Sequence, residues 1–269
     1  MRRNKVLAVL QMVLSTCFIC CTLAYAQSPS ATQTPPEKKF AYSGNDGPGF
    51  WAEFDAWKPC GNKDGQSPVD IIPANAVPDS TLTLTLELES ASVEMFNDGH
   101  TIKVAYAPDT GGTIRFNGVD YKILQFHFHT LSEHTFQGHR GLMELHAVFQ
   151  KKDNTQNFVA IAMLYEIGGT NSFLNELIHA GAGLPEKSTS HDVTIPALQL
   201  ADAFTDTSSY YNYAGSLTVP ACFPVTFIVL KTEATMSEQQ FLAFQRIMGN
   251  NFRPIQKLND RKVKVTPGD

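Results

Sequence analysis

Between Tyr121 and Gln150 the chain reads YKILQFHFHTLSEHTFQGHRGLMELHAVFQ, and both ends of this segment alternate with a period of two. Side chains two apart on an extended strand share a face. The first end therefore presents Gln125, His127 and His129 on one side, and Leu124, Phe126 and Phe128 on the other, where a core is expected. The second end presents Leu142, Glu144, His146 and Val148 on one side, backed by Met143, Leu145, Ala147 and Phe149. If the two strands pair through the loop between them, three imidazoles converge. Such a cluster demands a rigid sheet that is apolar behind and polar in front.

Three neutral nitrogen ligands on a sheet suit Zn²⁺ and leave a fourth tetrahedral position for water, the pattern of a catalytic site; a structural zinc takes a fourth protein ligand. Gln125 precedes His127 by two and Glu144 precedes His146 by two, so each is placed to take the hydrogen bond of the second ring nitrogen. His-x-His on a strand is a weak signal by itself, because two exposed histidines on a polar face need no metal. The apolar backing, His146 beside Glu144 and the intervening Ser132-Glu133-His134 give the metal reading its weight.

Elsewhere the pattern is mostly strand. Thr81 to Glu89 places Leu82, Leu84, Leu86 and Leu88 on one face, Thr101 to Tyr106 repeats the alternation, and Phe158 to Tyr165 is a continuous apolar run of the kind found in a central strand. One helix is predicted over Asn171 to Ala180 with Gly181 as its stop. A second is predicted from Ser237, where Gln240 completes a capping box and Gly249 ends the pattern. The expected fold is mainly β, a large sheet with a few helices around it. With 269 residues, 43% hydrophobic and 17% charged, one globular domain over residues 40–269 is expected.

Arg2, Arg3 and Lys5 followed by a largely apolar stretch from Val6 to Leu23 and Ala24-Tyr25-Ala26 read as an export signal cleaved after residue 26. The rival reading, a membrane anchor, is weakened by Gln11, Ser15 and Thr16 within the stretch. Residues 27–39, rich in Pro, Ser and Thr, read as a flexible lead-in. Loss of the leader takes the formal charge from −5 to −8, an acidic body that argues against a nucleic-acid partner. Cys17, Cys20 and Cys21 leave with the leader, so only Cys60 and Cys222 remain. In a secreted or periplasmic space two cysteines point to one bridge, with two buried free thiols as the alternative.

These residues carry a family resemblance. QFHFH, SEHT and MELHAVF, with YSGNDGPGFW from Tyr42, CGNKDGQSPVDI from Cys60, FNDGH ending at His100, YAGSLTVPAC from Tyr213 and FRPIQ from Phe252, resemble the alpha class of carbonic anhydrases. The resemblance implies a mostly antiparallel ten-stranded sheet with a zinc ion at the floor of a conical cavity, and a substrate pair of carbon dioxide and bicarbonate. It implies His127, His129 and His146 as zinc ligands, Gln125 and Glu144 behind them, Thr218 as a gatekeeper oriented by Glu133, and His100 as the proton shuttle. Val148 and Leu217 become candidates for the apolar substrate wall, and Tyr42 for the solvent network. His134, His139, His179 and His191 are expected to be ordinary, His134 as a structural neighbour of Glu133.

Several positions depart from the family pattern. Thr130 stands where animal members carry tryptophan, Val219 follows the gatekeeper where threonine or histidine is common, Lys103 replaces a neutral polar residue near the shuttle, and Phe227 replaces a tryptophan by the substrate pocket. They bear on rate, inhibitor affinity and water structure and leave the ligand set intact. Two rival readings compete. His127-x-His129-x-x-x-Glu133 is close to the cupin metal motif, whose glutamate is itself a ligand, but the later Pro-x-Gly-x-x-His segment is missing. The other rival is a secreted storage, matrix or binding protein; such relatives typically lack a ligand histidine, and this chain keeps all three.

Overall fold

The alternating segments form strands in a computed structural model that describes residues 39–153, 155–187 and 192–267. The expected leader, the lead-in up to residue 38 and His191 lie outside the described residues. In chain order the strands are β1 (Asp70–Ile71), β2 (Val77–Pro78), β3 (Leu84–Leu88), β4 (Ala91–Asn97), β5 (Ile102–Tyr106), β6 (Gly112–Phe116), β7 (Val119–His129) and β8 (Thr135–Phe136). They continue as β9 (His139–Arg140), β10 (Met143–Lys151), β11 (Phe158–Ile167), β12 (Val193–Leu198), β13 (Tyr210–Ser216), β14 (Pro224–Leu230), β15 (Ala234–Met236) and β16 (Lys264–Val265). The helices are α1 (Ser172–His179) and α2 (Glu238–Met248).

Among the described residues thirteen strands make one sheet. Ten follow a continuous path, β12-β4-β5-β7-β10-β11-β14-β13-β16-β2, and β3, β6 and β15 pair off it. The path thus holds the expected ten strands, with three more beside it. Most neighbours are antiparallel, but β11 runs parallel to β14 and β15, and β16 to β2, so the sheet is mixed. Strands β1, β8 and β9 form a small separate sheet.

Strand β11 shows why a continuous apolar run belongs at the centre. Val159, Ile161, Met163 and Tyr165 enter the larger core on one face, and Ala160, Ala162 and Leu164 enter a second cluster on the other. Both helices serve the larger core, burying Phe173, Leu174 and Leu177 from α1 and Phe244 from α2. In α2 the predicted capping box is present: Ser237 accepts from the Gln240 N–H and the Gln240 side chain from the Ser237 N–H. Gly249 ends that helix at φ 62°, a conformation that disfavours a side chain. Asn171 caps α1 by accepting from the Leu174 N–H.

One strand is shorter than its pattern. The alternation from Thr81 becomes extended only at Leu84, because Asp79 Oδ1 accepts from both the Thr81 N–H and hydroxyl and folds the chain into a turn. Leu82 still reaches the core from outside the strand. Cys60 and Cys222 are joined by a disulfide and pack against the buried Trp51, so the free-thiol alternative falls.

Candidate metal centre

The site is built from the pairing of β7 with β10. In this antiparallel ladder His127 stands opposite His146 and Glu144 opposite His129, so the pleat delivers the three imidazoles to one face while Phe126, Phe128, Leu145 and Ala147 bury on the other. Ring centroids of the three histidines lie 4.8–5.5 Å apart. One nitrogen from each falls within 4.8 Å of the others.

The remaining ring nitrogens are all committed. His127 Nδ1 lies 2.8 Å from Gln125 Oε1, His129 Nδ1 is 2.8 Å from the Asn251 carbonyl, and His146 Nε2 is 2.6 Å from Glu144 Oε1. Each partner can only accept, so each nitrogen carries the proton, and the lone pairs fall on His127 Nε2, His129 Nε2 and His146 Nδ1. His129 Nε2 is buried without a hydrogen-bond partner. A buried orphan acceptor facing two other lone pairs fits a tetrahedral cation that takes nitrogen ligands. Burial, followed by the neighbouring imidazoles, holds His127 well below its ordinary pKa and brings His129 down to about 3, so both rings are neutral, as ligation requires.

Two buried carboxylates back the cluster in different ways. Glu144 accepts from His146, from His134 Nδ1 at 2.6 Å, and from the backbone N–H groups of Glu133 and His134 at 2.6 and 2.8 Å. Burial pushes its pKa up, but the two histidines and their hydrogen bonds outweigh it and hold the group well below the usual range. Glu133 goes the other way. Burial raises it to about 7, with Glu144 adding to the rise, while His146, the Thr218 side chain and the Arg253 N–H pull against it. Its Oε1 accepts that N–H at 2.7 Å, and Oε2 stands 3.5 Å from His129 Nε2 and 3.8 Å from His146 Nδ1.

A cavity of about 380 Å³ opens onto the histidines. The predicted residues Tyr42, His100, Gln125, His127, His129, His146, Val148, Leu217 and Thr218 line it together. Glu133 and Glu144 lie behind the wall, fully buried. Phe158, Ala160, Val219 and Phe227 extend an apolar side; Asp98, His100, Thr101 and Lys103 form a polar one. The His100 ring stacks on Phe40 at 3.8 Å with planes 10° apart. Burial, then Lys187, Lys103 and Lys39, depresses the His100 pKa, against the raising effect of Asp98. Tyr42 is pushed well above the phenol range by burial, and by Glu133 and Asp98 after it.

Leu124 does not face the core as its alternation implies. The pairing of β10 with β7 shifts between Val148 and Phe149, whose partners are Gln125 and Ile123, so Leu124 is an unpaired bulge residue and turns into the cavity beside Gln125. His134, expected as a structural neighbour of Glu133, bridges Glu144 to the Tyr213 hydroxyl, 2.6 Å from its Nε2, and that hydroxyl meets Ser67 Oγ at 2.8 Å. Asn251 and Arg253 orient His129 and Glu133 from residues far along the chain. They fall in or beside FRPIQ, yet no spacing rule links them to a strand more than a hundred residues earlier.

A family model described as eukaryotic-type carbonic anhydrase matches residues 46–267. The chain belongs to the alpha-class carbonic anhydrase family. The carbonic anhydrase of Neisseria gonorrhoeae is 33% identical over 227 residues, covering 83% of this chain and 86% of the relative. Among solved structures, the alpha-carbonic anhydrase of Thermovibrio ammonificans in complex with sulfanilamide is 31% identical with a TM-score of 0.75, covering 84% of this chain and 98% of that one. A dioscorin complexed with ascorbate has a TM-score of 0.79 at 26% identity, covering 86% and 99%. Membership of the carbonic anhydrases, whose general reaction is hydration of carbon dioxide, removes the cupin alternative. No helix among the described residues is long and apolar enough to cross a membrane.

Proposed function

We propose that this chain is an exported, zinc-dependent enzyme that interconverts carbon dioxide and bicarbonate, with the release or uptake of a proton. The carrying observation is the convergence of three lone pairs, on His127 Nε2, His129 Nε2 and His146 Nδ1, at the floor of a cavity with one apolar wall. When bound, zinc lowers the pKa of a water ligand to about 7, a figure established on carbonic anhydrase itself, and so supplies a nucleophile at neutral pH.

The residues of the chain do the rest. Gln125, the Asn251 carbonyl and Glu144 fix each histidine's tautomer and direction. Thr218 accepts a hydrogen bond from the attacking oxygen and donates its own proton to the Glu133 carboxylate, which selects the lone pair that faces the substrate. A cation beside Glu133 favours its ionised, accepting form. Val148, Leu217 and Phe227 exclude water and dock an apolar molecule. His100 takes the released proton at the cavity mouth, and Tyr42 belongs to the hydrogen-bonded path toward it. The disulfide and the basic, then apolar, leader together support an exported protein.

A second reading, a secreted binding protein with a repurposed cavity, draws on the likeness to a dioscorin that holds ascorbate. Stopped-flow carbon dioxide hydration on the mature protein, with zinc quantified per chain and a His127→Ala control, tests both. Fast, zinc-dependent hydration lost in the control supports the enzyme. Stoichiometric zinc without hydration supports the binding protein.

A further inference from the structure

Lys103 gives the polar side of the cavity a charge that the reaction above does not use. It stands opposite His127 in the β5–β7 ladder, so its side chain rises from the same sheet face as that ring. Its Nζ lies 2.7 Å from Asp98 Oδ2, and the side chain is 30% exposed. Asp98 is otherwise spoken for: its Oδ1 accepts the N–H groups of His100 and Thr101 at 2.9 and 3.0 Å. An ammonium offers three donors, and Asp98 is the one acidic partner found for this one among the described residues.

The surroundings add to the charge. The Asn97 side chain donates to the Pro185 carbonyl at 3.2 Å and brings the 185–187 segment against the 97–100 turn. Lys187 Cε would then lie 3.3 Å from a Cβ placed on Gly99. Lys187, Lys103 and Lys39 all lower the His100 pKa, and Asp98 raises it. Lysine ammonium groups thus gather at the mouth, Lys103 on its lining and Lys187 beside Gly99, on a chain whose formal charge is −5. The facing wall of Val148, Leu217 and Phe227 is apolar, and a low-dielectric wall opposite a cation focuses its field into the cavity.

We propose that Lys103 forms an anion subsite at the cavity mouth, separate from the three histidines, that takes a small singly charged oxyanion of the carboxylate class. Lys187 reinforces it from the rim, and Asp98 holds the ammonium in place and disfavours dianions. Bicarbonate is such an anion, and on the function proposed above the subsite is where it pauses on its way between histidines and solvent; the anion site itself does not depend on that function.

Acetate and acetamide have the same shape and differ in charge, which makes them suitable probes. Each is titrated into ¹⁵N-labelled mature protein, zinc-loaded and zinc-stripped, while the backbone amides of residues 101–105 are followed. Acetate should shift these amides in the zinc-stripped protein and acetamide should not. Lys103→Gln should weaken acetate binding about five-fold, the effect expected of one partly exposed ionic contact, and Lys103→Arg should restore it. Equal responses to acetate and acetamide, or an acetate response unchanged in Lys103→Gln, would overturn the subsite. Because the zinc-stripped sample carries the test, a protein that takes up no zinc would refute the enzymatic reading and leave this result readable.

Discussion

The Cys60–Cys222 bridge closes a loop of 162 residues that contains ten of the thirteen strands of the main sheet. Replacing both cysteines by alanine frees that loop in the unfolded chain, for which loop-closure entropy gives about 5 kcal/mol of lost stability. Both sulfurs are buried against Trp51, so lost packing adds to the effect. For a domain of this size each kcal/mol moves the melting temperature by roughly 2–4 °C, so a fall of about 10–20 °C is expected. The assay is scanning calorimetry on the mature oxidised protein and on the Cys60→Ala/Cys222→Ala variant, with thiol titration of the untreated protein. Turnover per folded molecule at 25 °C should change much less. The Thr218 loop is also held by the Leu217 N–H on the Phe223 carbonyl at 2.7 Å and by the β13–β14 ladder. A melting temperature that moves by less than about 3 °C would refute the entropic argument.

Other substitutions separate the parts of the site. His127→Ala should abolish both zinc retention and hydration, read by metal analysis and stopped flow. Glu133→Gln keeps an acceptor for the Arg253 N–H but turns an amide toward Thr218, so turnover should drop about 100-fold with zinc content unchanged; a loss of zinc instead would make Glu133 a ligand. His100→Ala should slow turnover in dilute buffer and recover in concentrated imidazole, and equal loss in both would remove the shuttle assignment. Burial and three lysines lower the His100 pKa, so its ring should titrate below 6.5 by NMR. Removing a cation with Lys187→Gln should move it upward, and Asp98→Asn further down.

What the sequence disclosed depended on how far apart the cooperating residues are. Alternation over Leu124 to His129 and Leu142 to Phe149 announced two strands and a shared face because side-chain direction is a local property. The α2 capping box was readable for the same reason, being complete within four residues. Leu124 departs from its alternation because a bulge breaks the period without changing composition. The ten strands of the main path follow from the family resemblance and not from any strand's own alternation, because pairing partners are not written into a strand's own pattern. The roles of His134 and Asn251 depend on hydrogen bonds to Tyr213 and His129, which only the assembled fold brings near.

The orienting contacts of Asn251 and Arg253 also fix an order of events. All three histidines precede residue 147, but the carbonyl that aims His129 and the N–H that holds Glu133 come more than a hundred residues later. Arg253 is locked by its guanidinium donating to the carbonyls of Ser67 and Cys60 at 2.8 and 3.1 Å and lying over Trp51. A nascent chain that has emerged only as far as β14 thus holds its three histidines but lacks two of the groups that aim the site. The groups that aim the site are complete only when the segment after α2 reaches His129, Glu133 and the carbonyls of Cys60 and Ser67, so a chain stopped before Asn251 should bind metal loosely and turn over little even where its strands have formed.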